Sequence, residues 1–90
     1  MAALDIFSRR GALRILWELR ANAVFTFRGL SAAAELPPGT LNARLKDMRE
    51  AGLIVTDGGY GLSPIGRELL VALEPLVKWS ERWAKDLAKP

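Results

Sequence analysis

Apolar side chains follow helical spacing over the first part of the chain. Ile6, Leu13 and Leu16 fall near one face of a helix predicted over residues 4–20. Gly11 lies inside this helix and weakens it by about 1 kcal/mol relative to alanine. The pattern therefore predicts an N-terminal helix that can break into two pieces at Gly11.

Two further helices are predicted on either side of a proline-rich break. Residues 24–27 are β-branched and aromatic, which predicts a short strand, and residues 28–34 follow as a short helix. This helix must end before Pro37, because the residue that precedes a proline avoids helical geometry. Pro38 suits the first position of the next helix, residues 38–51, which has one apolar stripe: Leu41, Leu45 and Met48.

The last part of the chain predicts a hairpin and a long helix. Residues 53–55 and 60–62 are strand-like, and the Asp-Gly-Gly turn between them supplies the backbone freedom that tight hairpins need. Ser63 and Pro64 suit the N-cap and first position of a helix that extends to about residue 88. Pro75 lies inside this helix and lacks a backbone N–H, so a kink or two separate helices is expected.

Composition excludes several classes of function. The chain has no cysteine and no histidine, so disulfides, thiolate chemistry, Ser-His-Asp catalysis and cysteine zinc sites are impossible. The acidic residues are scattered and no phosphate-binding glycine loop is present, so we expect no enzyme, no metal and no cofactor. No apolar run approaches the roughly 20 residues of a membrane span. A cytoplasmic protein without membrane contact is therefore expected.

The net charge of +3 is concentrated in one half of the chain. Residues 1–52 hold eight basic and five acidic side chains, whereas residues 53–90 hold five of each. Such an excess is compatible with ordinary solvated helix faces. It also fits a first half in which one face meets phosphate.

At residues 30–45, LSAAAELPPGTLNARL, a short alanine-rich helix precedes a longer one, and a hairpin follows. This pattern resembles winged helix-turn-helix transcriptional regulators, and the HxlR family within the MarR- and ArsR-like superfamily looks most similar. The segments that carry the HxlR resemblance are Ile15–Leu19, Phe27–Leu30, Leu41–Ile54, Tyr60–Leu70 and Trp79.

The resemblance implies a single domain, residues 1–90, that is mainly α with a small β-hairpin. Its parts are an N-terminal helix (1–20), a strand plus helix-turn-helix (24–52), a short wing (53–62) and a C-terminal helix or kinked helix pair (64–88). It also implies a homodimer built from the first and last helices. The chain departs from the family in its Arg9-Arg10-Gly11 sequence and its missing N-terminal cysteine. Its wing is also short and carries Asp57 where arginine or lysine is usual in the family.

In helix-turn-helix proteins the second helix enters the major groove with its N-terminal part. Thr40 and Asn42 are candidates for reading bases, because their side chains can hydrogen-bond base edges. Gly39 and Ala43 are small enough to allow close approach. Basic residues of both helices are candidates for phosphate contacts, although each could equally be an ordinary solvated side chain: Arg28, Arg44 and Lys46. On the flank, Arg49 fits an intramolecular ion pair equally well.

The last helix carries more apolar surface than a small domain can bury. Core packing explains residues 65–73, whereas the later part of the stripe favours a partner surface that includes Leu76, Trp79, Trp83 and Leu87. Leu4, Ile6 and Phe7 form a matching N-terminal patch. We therefore expect a homodimer that presents two recognition helices to double-stranded DNA.

Two classes of function stay open at this point. The first is a dimeric, sequence-specific regulator of transcription. The second is a winged-helix module that binds protein without DNA, which the small net charge and the acidic wing favour. A small-molecule effector is compatible with either class, but no residue pattern indicates one.

Overall fold

A computed structural model describes the backbone of residues 2–21 and 24–89, and side chains from residue 5 onward within those ranges. Its elements are five helices and one two-stranded sheet: α1 (Ala2–Phe7), α2 (Ala12–Glu18), α3 (Phe27–Ala34), α4 (Pro38–Glu50), β1 (Ile54–Val55), β2 (Gly61–Leu62) and α5 (Pro64–Ala88). The sheet is antiparallel and pairs Ile54 with Leu62. The architecture is therefore mainly α with a small hairpin.

The hydrophobic core lies where α2, α3 and α4 meet the hairpin. Its fully buried large side chains are Ile15, Leu16, Leu19, Leu30, Leu41 and Met48. The side chains of Leu69, Leu70 and Leu73 on α5 pack against this core from one side and stay partly exposed. The helix-turn-helix is thus held on a compact base formed by the other elements.

The N-terminal region forms two helices rather than one. Gly11 adopts a left-handed conformation with a φ of 89°, which glycine reaches without steric cost. A Cβ at this position would lie 2.7 Å from Cδ1 of Leu36. Gly11 therefore both turns the chain between α1 and α2 and lets the turn before α4 approach closely.

The strand predicted over residues 24–27 is wrong in extent. Only Phe25 pairs, through two backbone hydrogen bonds with Tyr60 of 3.0 and 2.8 Å. Thr26 instead caps α3, since its hydroxyl accepts a hydrogen bond of 3.0 Å from the Gly29 N–H. This N-cap starts the helix at Phe27, one residue earlier than β-propensity suggested.

Side-chain hydrogen bonds fix the two junctions that flank α4. In the turn between α3 and α4, the Ser31 hydroxyl donates to the Leu36 carbonyl at 2.6 Å. After α4, the buried Ser63 hydroxyl donates to the Gly52 carbonyl at 2.6 Å and accepts from the Gly66 N–H at 3.0 Å. Ser63 thereby joins the end of α4 to the start of α5, so both helices have defined positions relative to the hairpin.

Helix α5 runs through Pro75 as one continuous helix. Both Pro75 and Val71, whose carbonyl loses its helical partner, are exposed, so water can satisfy the freed group. The helix is about 37 Å long at about 1.5 Å per residue, whereas the short axes of the molecule measure 26 and 24 Å. Residues 81–89 are all exposed, so the C-terminal part of α5 projects from the domain.

In the part of the chain that the structure describes, no helix combines the length and the apolar character that a bilayer crossing requires.

Candidate nucleic-acid interface

One face of α4 is open to solvent along its whole length. Leu41, Leu45 and Met48 are buried on the opposite face and anchor the helix to the core. The exposed positions recur at a spacing of three or four residues and therefore line up along the helix: Gly39, Asn42, Lys46, Arg49 and Glu50. This row is called the α4 face below. It offers a small residue near the helix start, an amide, two cations and, at its C-terminal end, the carboxylate of Glu50.

The structure divides the candidate residues of α4 into two groups. Gly39, Asn42 and Lys46 lie on the α4 face, and Ala43 is half-buried at its edge. Thr40 and Arg44 are also half-buried but lie on the other flank of the helix, because they are offset by two residues from Asn42 and Lys46. The six candidates on α4 therefore do not form one surface.

Arg44 belongs to a small charge cluster on that second flank. Its Nε lies 3.7 Å from Oδ2 of Asp47, and the same oxygen accepts a hydrogen bond of 3.1 Å from Nη1 of Arg9. The Nε of Arg44 is buried and has no hydrogen-bond partner. Asp47 therefore offsets part of the charge of two arginines, and the Arg44 side chain, 19% exposed, is less accessible than Lys46.

Apart from Arg44, the cations of α3 and α4 have no acidic partner among the described residues. Arg28 is exposed on the first turn of α3, and Lys46 and Arg49 are exposed on α4. Among the residues that the structure describes, none of these three has a carboxylate within 4.0 Å. Arg49 was not a site candidate from the sequence, although its position seven residues after Asn42 places it on the same helix face.

The hairpin has little chemistry to add to this surface. Its turn, residues 56–59, carries Asp57 as its one charged side chain. Gly58 and Gly59 both have positive φ, and a Cβ on Gly59 would lie 2.9 Å from the Phe25 carbonyl oxygen. The turn is therefore compact, close to the Phe25 segment and acidic.

A second exposed surface lies on α5. Leu76, Trp79, Trp83 and Leu87 are 49%, 49%, 51% and 66% exposed, and the two indole rings stack with centroids 5.5 Å apart. Ile6 and Phe7 are half-buried and pack against the core of their own chain. The side chain of Leu4 lies outside the described residues. Of the predicted interface, the α5 part is thus the more exposed one.

The fold has one further diagnostic feature, the order of its elements. Helices α3 and α4 are joined by a tight turn, and an antiparallel hairpin follows them at once. Phe25, in the segment before α3, extends this hairpin by one residue pair. Residues 12–55, from α2 to β1, match a family model described as winged helix-turn-helix DNA-binding. The fold is that of a winged helix-turn-helix.

A relative is similar to this chain over nearly its whole length. It is an uncharacterized HTH-type transcriptional regulator of Methanocaldococcus jannaschii, and the two sequences are 27% identical over 89 aligned positions. The alignment covers 92% of this chain and 83% of the relative. The similarity therefore extends beyond α4 and the hairpin into α5.

Proposed function

We propose that this chain is a homodimeric transcriptional regulator that binds double-stranded DNA sequence-specifically, with α4 in the major groove. The observation that carries the proposal is the α4 face, where Asn42, Lys46 and Arg49 are exposed on the second helix of a winged helix-turn-helix. The name of the archaeal relative, a transcriptional regulator, supports the same function. An HxlR-like arrangement, with dimer contacts from the terminal helices, belongs to this proposal.

The residues of the two helices take different roles in the proposed complex. Asn42 can pair with the edge of an adenine, while Gly39 and Ala43 let the helix approach the groove floor. Lys46 and Arg28 meet phosphates as flexible cations. Arg49 extends the positive row along the same side of α4. Thr40 and Arg44 lie on the other flank of α4, and their positions favour contacts with the DNA phosphate backbone over contacts with bases.

Selection of bound duplexes from a random pool at a stated salt concentration tests the proposal. A dimer of this fold should enrich a palindrome whose half-sites lie about 10 base pairs apart, one turn of the duplex. Enrichment of single half-sites would contradict the homodimer. Absence of DNA binding even at low salt would favour the alternative, a module that binds protein. The acidic Asp57 and the exposed tryptophans support that alternative.

We expect Lys46→Ala to weaken binding to all DNA sequences by a similar factor. A lost phosphate contact releases one counterion fewer, so the slope of log affinity against log salt should become shallower by about 1. Titrations at several salt concentrations measure this slope. Lys85→Ala on the projecting part of α5 removes the same charge away from the α4 face and should leave the slope unchanged. An unaltered slope in Lys46→Ala would remove Lys46 from the phosphate contacts.

We expect Asn42→Ala to change sequence preference more than salt dependence. Loss of a bidentate contact to one base costs about 1–3 kcal/mol of discrimination at that position. Repeating the duplex selection with the variant should therefore show one relaxed position in each half-site. A variant that keeps the full preference would exclude Asn42 from base reading.

We expect Asp57→Lys to strengthen DNA binding and to steepen the salt dependence. In the proposed complex the carboxylate of Asp57 in the wing turn repels a nearby DNA phosphate. A lysine at this position would replace the repulsion with an attraction to that phosphate. Glu81→Lys makes the same charge change on α5 and is the control. Equal effects of the two variants would show that only the net charge matters and that the wing lies away from the duplex.

A further inference from the structure

The exposed apolar surface of α5 extends along the whole helix. With about 100° per residue, its members fall within a sector of about 80°. They form the α5 stripe: Ile65, Leu69, Ala72, Leu76, Trp79, Trp83 and Leu87. All of them except the half-buried Leu69 are exposed. The stripe borders the face of α5 that packs against the core and α2 through Leu70 and Leu73. Leu69 also packs against the core, and Leu76 lies at the edge of the cleft against α2.

The spacing within the stripe is that of a helix pair. From Leu69 to Trp83 the residues alternate in steps of three and four, which is the heptad pattern of two packed helices. Among the described residues, none covers the outer part of this seam, where Trp79, Trp83 and Leu87 are half-exposed or more. Since the seam continues past the domain onto the projecting part of α5, a second long helix is the occupant that matches its length and period.

The two ends of the stripe differ in shape. At the base of α5, Ile65 and Leu69 line a groove of about 420 Å³ together with Ile6, Phe7 and Leu53. At the projecting end, Trp79 and Trp83 stand out from the helix as a stacked pair. One end is therefore concave and apolar, and the other is convex and apolar.

We propose that two copies of the chain pair through α5 in antiparallel orientation, with the two-fold axis beside Leu76. Trp83 and Leu87 of each copy then lie against Leu69 and Ile65 of the other copy, in the groove walled by Ile6 and Phe7. This inference rests on the proposed homodimer and specifies its geometry. Leu76 lies midway between Ile65 and Leu87 in the sequence. Pairing about an axis at Leu76 therefore brings the whole stripe of one copy against the whole stripe of the other.

The parallel arrangement fits the same residues poorly. In a parallel, in-register pair every residue faces its own copy, so indole would face indole, Ala72 would face Ala72 and both grooves would remain empty. The antiparallel pair sets the bulky Trp79 beside the small Ala72 of the other copy. Alternation of large and small residues across the seam gives the close packing that stable interfaces require.

Cysteine cross-linking tests the orientation, because the chain has no cysteine of its own. Leu76→Cys should form an intermolecular disulfide under mild oxidation, since the axis places both copies of residue 76 together. Leu87→Cys alone should not, because its two copies would be about 33 Å apart along the pair, far beyond the roughly 7 Å limit of a disulfide. The double variant Ile65→Cys with Leu87→Cys should link most of the protein, and Ile65→Cys alone should not.

Each of these positions is exposed in the single chain, so the substitutions do not disturb the core. A disulfide in Leu87→Cys alone would overturn the antiparallel geometry in favour of a parallel pair. No disulfide in any variant, for a protein that sediments as a dimer, would exclude α5 as the interface. Sedimentation as a monomer would contradict the proposed homodimer itself, so the two failures are distinguishable.

Discussion

Gly66→Ala should lower the free energy of unfolding by about 3 kcal/mol, the upper part of the range for an overpacked core. A Cβ at Gly66 would lie 2.1 Å from the carbonyl oxygen of Leu53 and 3.1 Å from its carbon. That oxygen accepts a backbone hydrogen bond of 3.0 Å from Ser63. Backbone cannot rotate away as a side chain can, so α5 must shift from the hairpin and strain the Ser63 contacts that hold both.

Gly39→Ala is the matched control for this variant. Gly39 also lies in the first turn of a helix, but it is exposed and a Cβ there has no heavy atom within 4 Å. Alanine should therefore raise the free energy of unfolding by about 0.5–1 kcal/mol. Urea titrations followed by circular dichroism, at one protein concentration, measure both variants. Equal midpoints for Gly66→Ala and the unchanged chain would show that α5 does not need this close approach.

The hairpin and the two helices that flank it, α4 and α5, follow from local sequence. Pro38 at the first position of α4 and Ser63 as the cap of α5 are signals read within a few residues. The buried positions Leu41, Leu45 and Met48 also follow from spacing alone. The boundaries of α4, the hairpin and the start of α5 could therefore be predicted without a structure, because each has a chemical cause nearby.

The features that sequence reasoning missed depend on distant partners. Phe25 pairs with Tyr60, and so the strand predicted over residues 24–27 is reduced to one position. Arg9 meets Asp47 across 38 residues of sequence, which turns Arg44 from a free cation into a member of a charge cluster. The steric need for Gly66 arises from the Leu53 carbonyl. None of these contacts has a local pattern that announces it.

The candidate residues of α4 divide into those that helical periodicity predicts to be exposed and those whose surroundings depend on other elements. Lys46 and Asn42 are exposed because they oppose a buried stripe on their own helix, which sequence periodicity predicts. Whether a cation on the flank is free depends on the elements packed beside it, which periodicity does not describe. In the structure Arg49 is open to solvent, whereas Arg44 is half-buried and paired with Asp47. Arg49 is therefore the more accessible of the two cations, although the sequence favoured Arg44.

Replacing both tryptophans of the α5 stripe, Trp79→Ala with Trp83→Ala, should convert the protein from dimer to monomer at micromolar concentration. Tryptophans buried in an interface contribute about 2 kcal/mol or more each, so the dimer dissociation constant should rise by about 1,000-fold or more. DNA affinity should fall with it, because a monomer binds one half-site without the help of the second. The helices of the single chain should persist, since both side chains are half-exposed and outside the core.

Sedimentation equilibrium and titration of the selected palindrome measure these two effects in the same samples. Val71→Ala is the control, because Val71 is an exposed apolar residue of α5, 68% accessible, that lies off the stripe. It should leave both constants within about twofold, as surface substitutions away from a contact usually do. If the double tryptophan variant loses dimerisation but still binds the palindrome with full affinity, the two recognition helices act independently. If it remains a dimer, the stripe is not the interface, and the exposed indoles then favour a different protein partner on this face of α5.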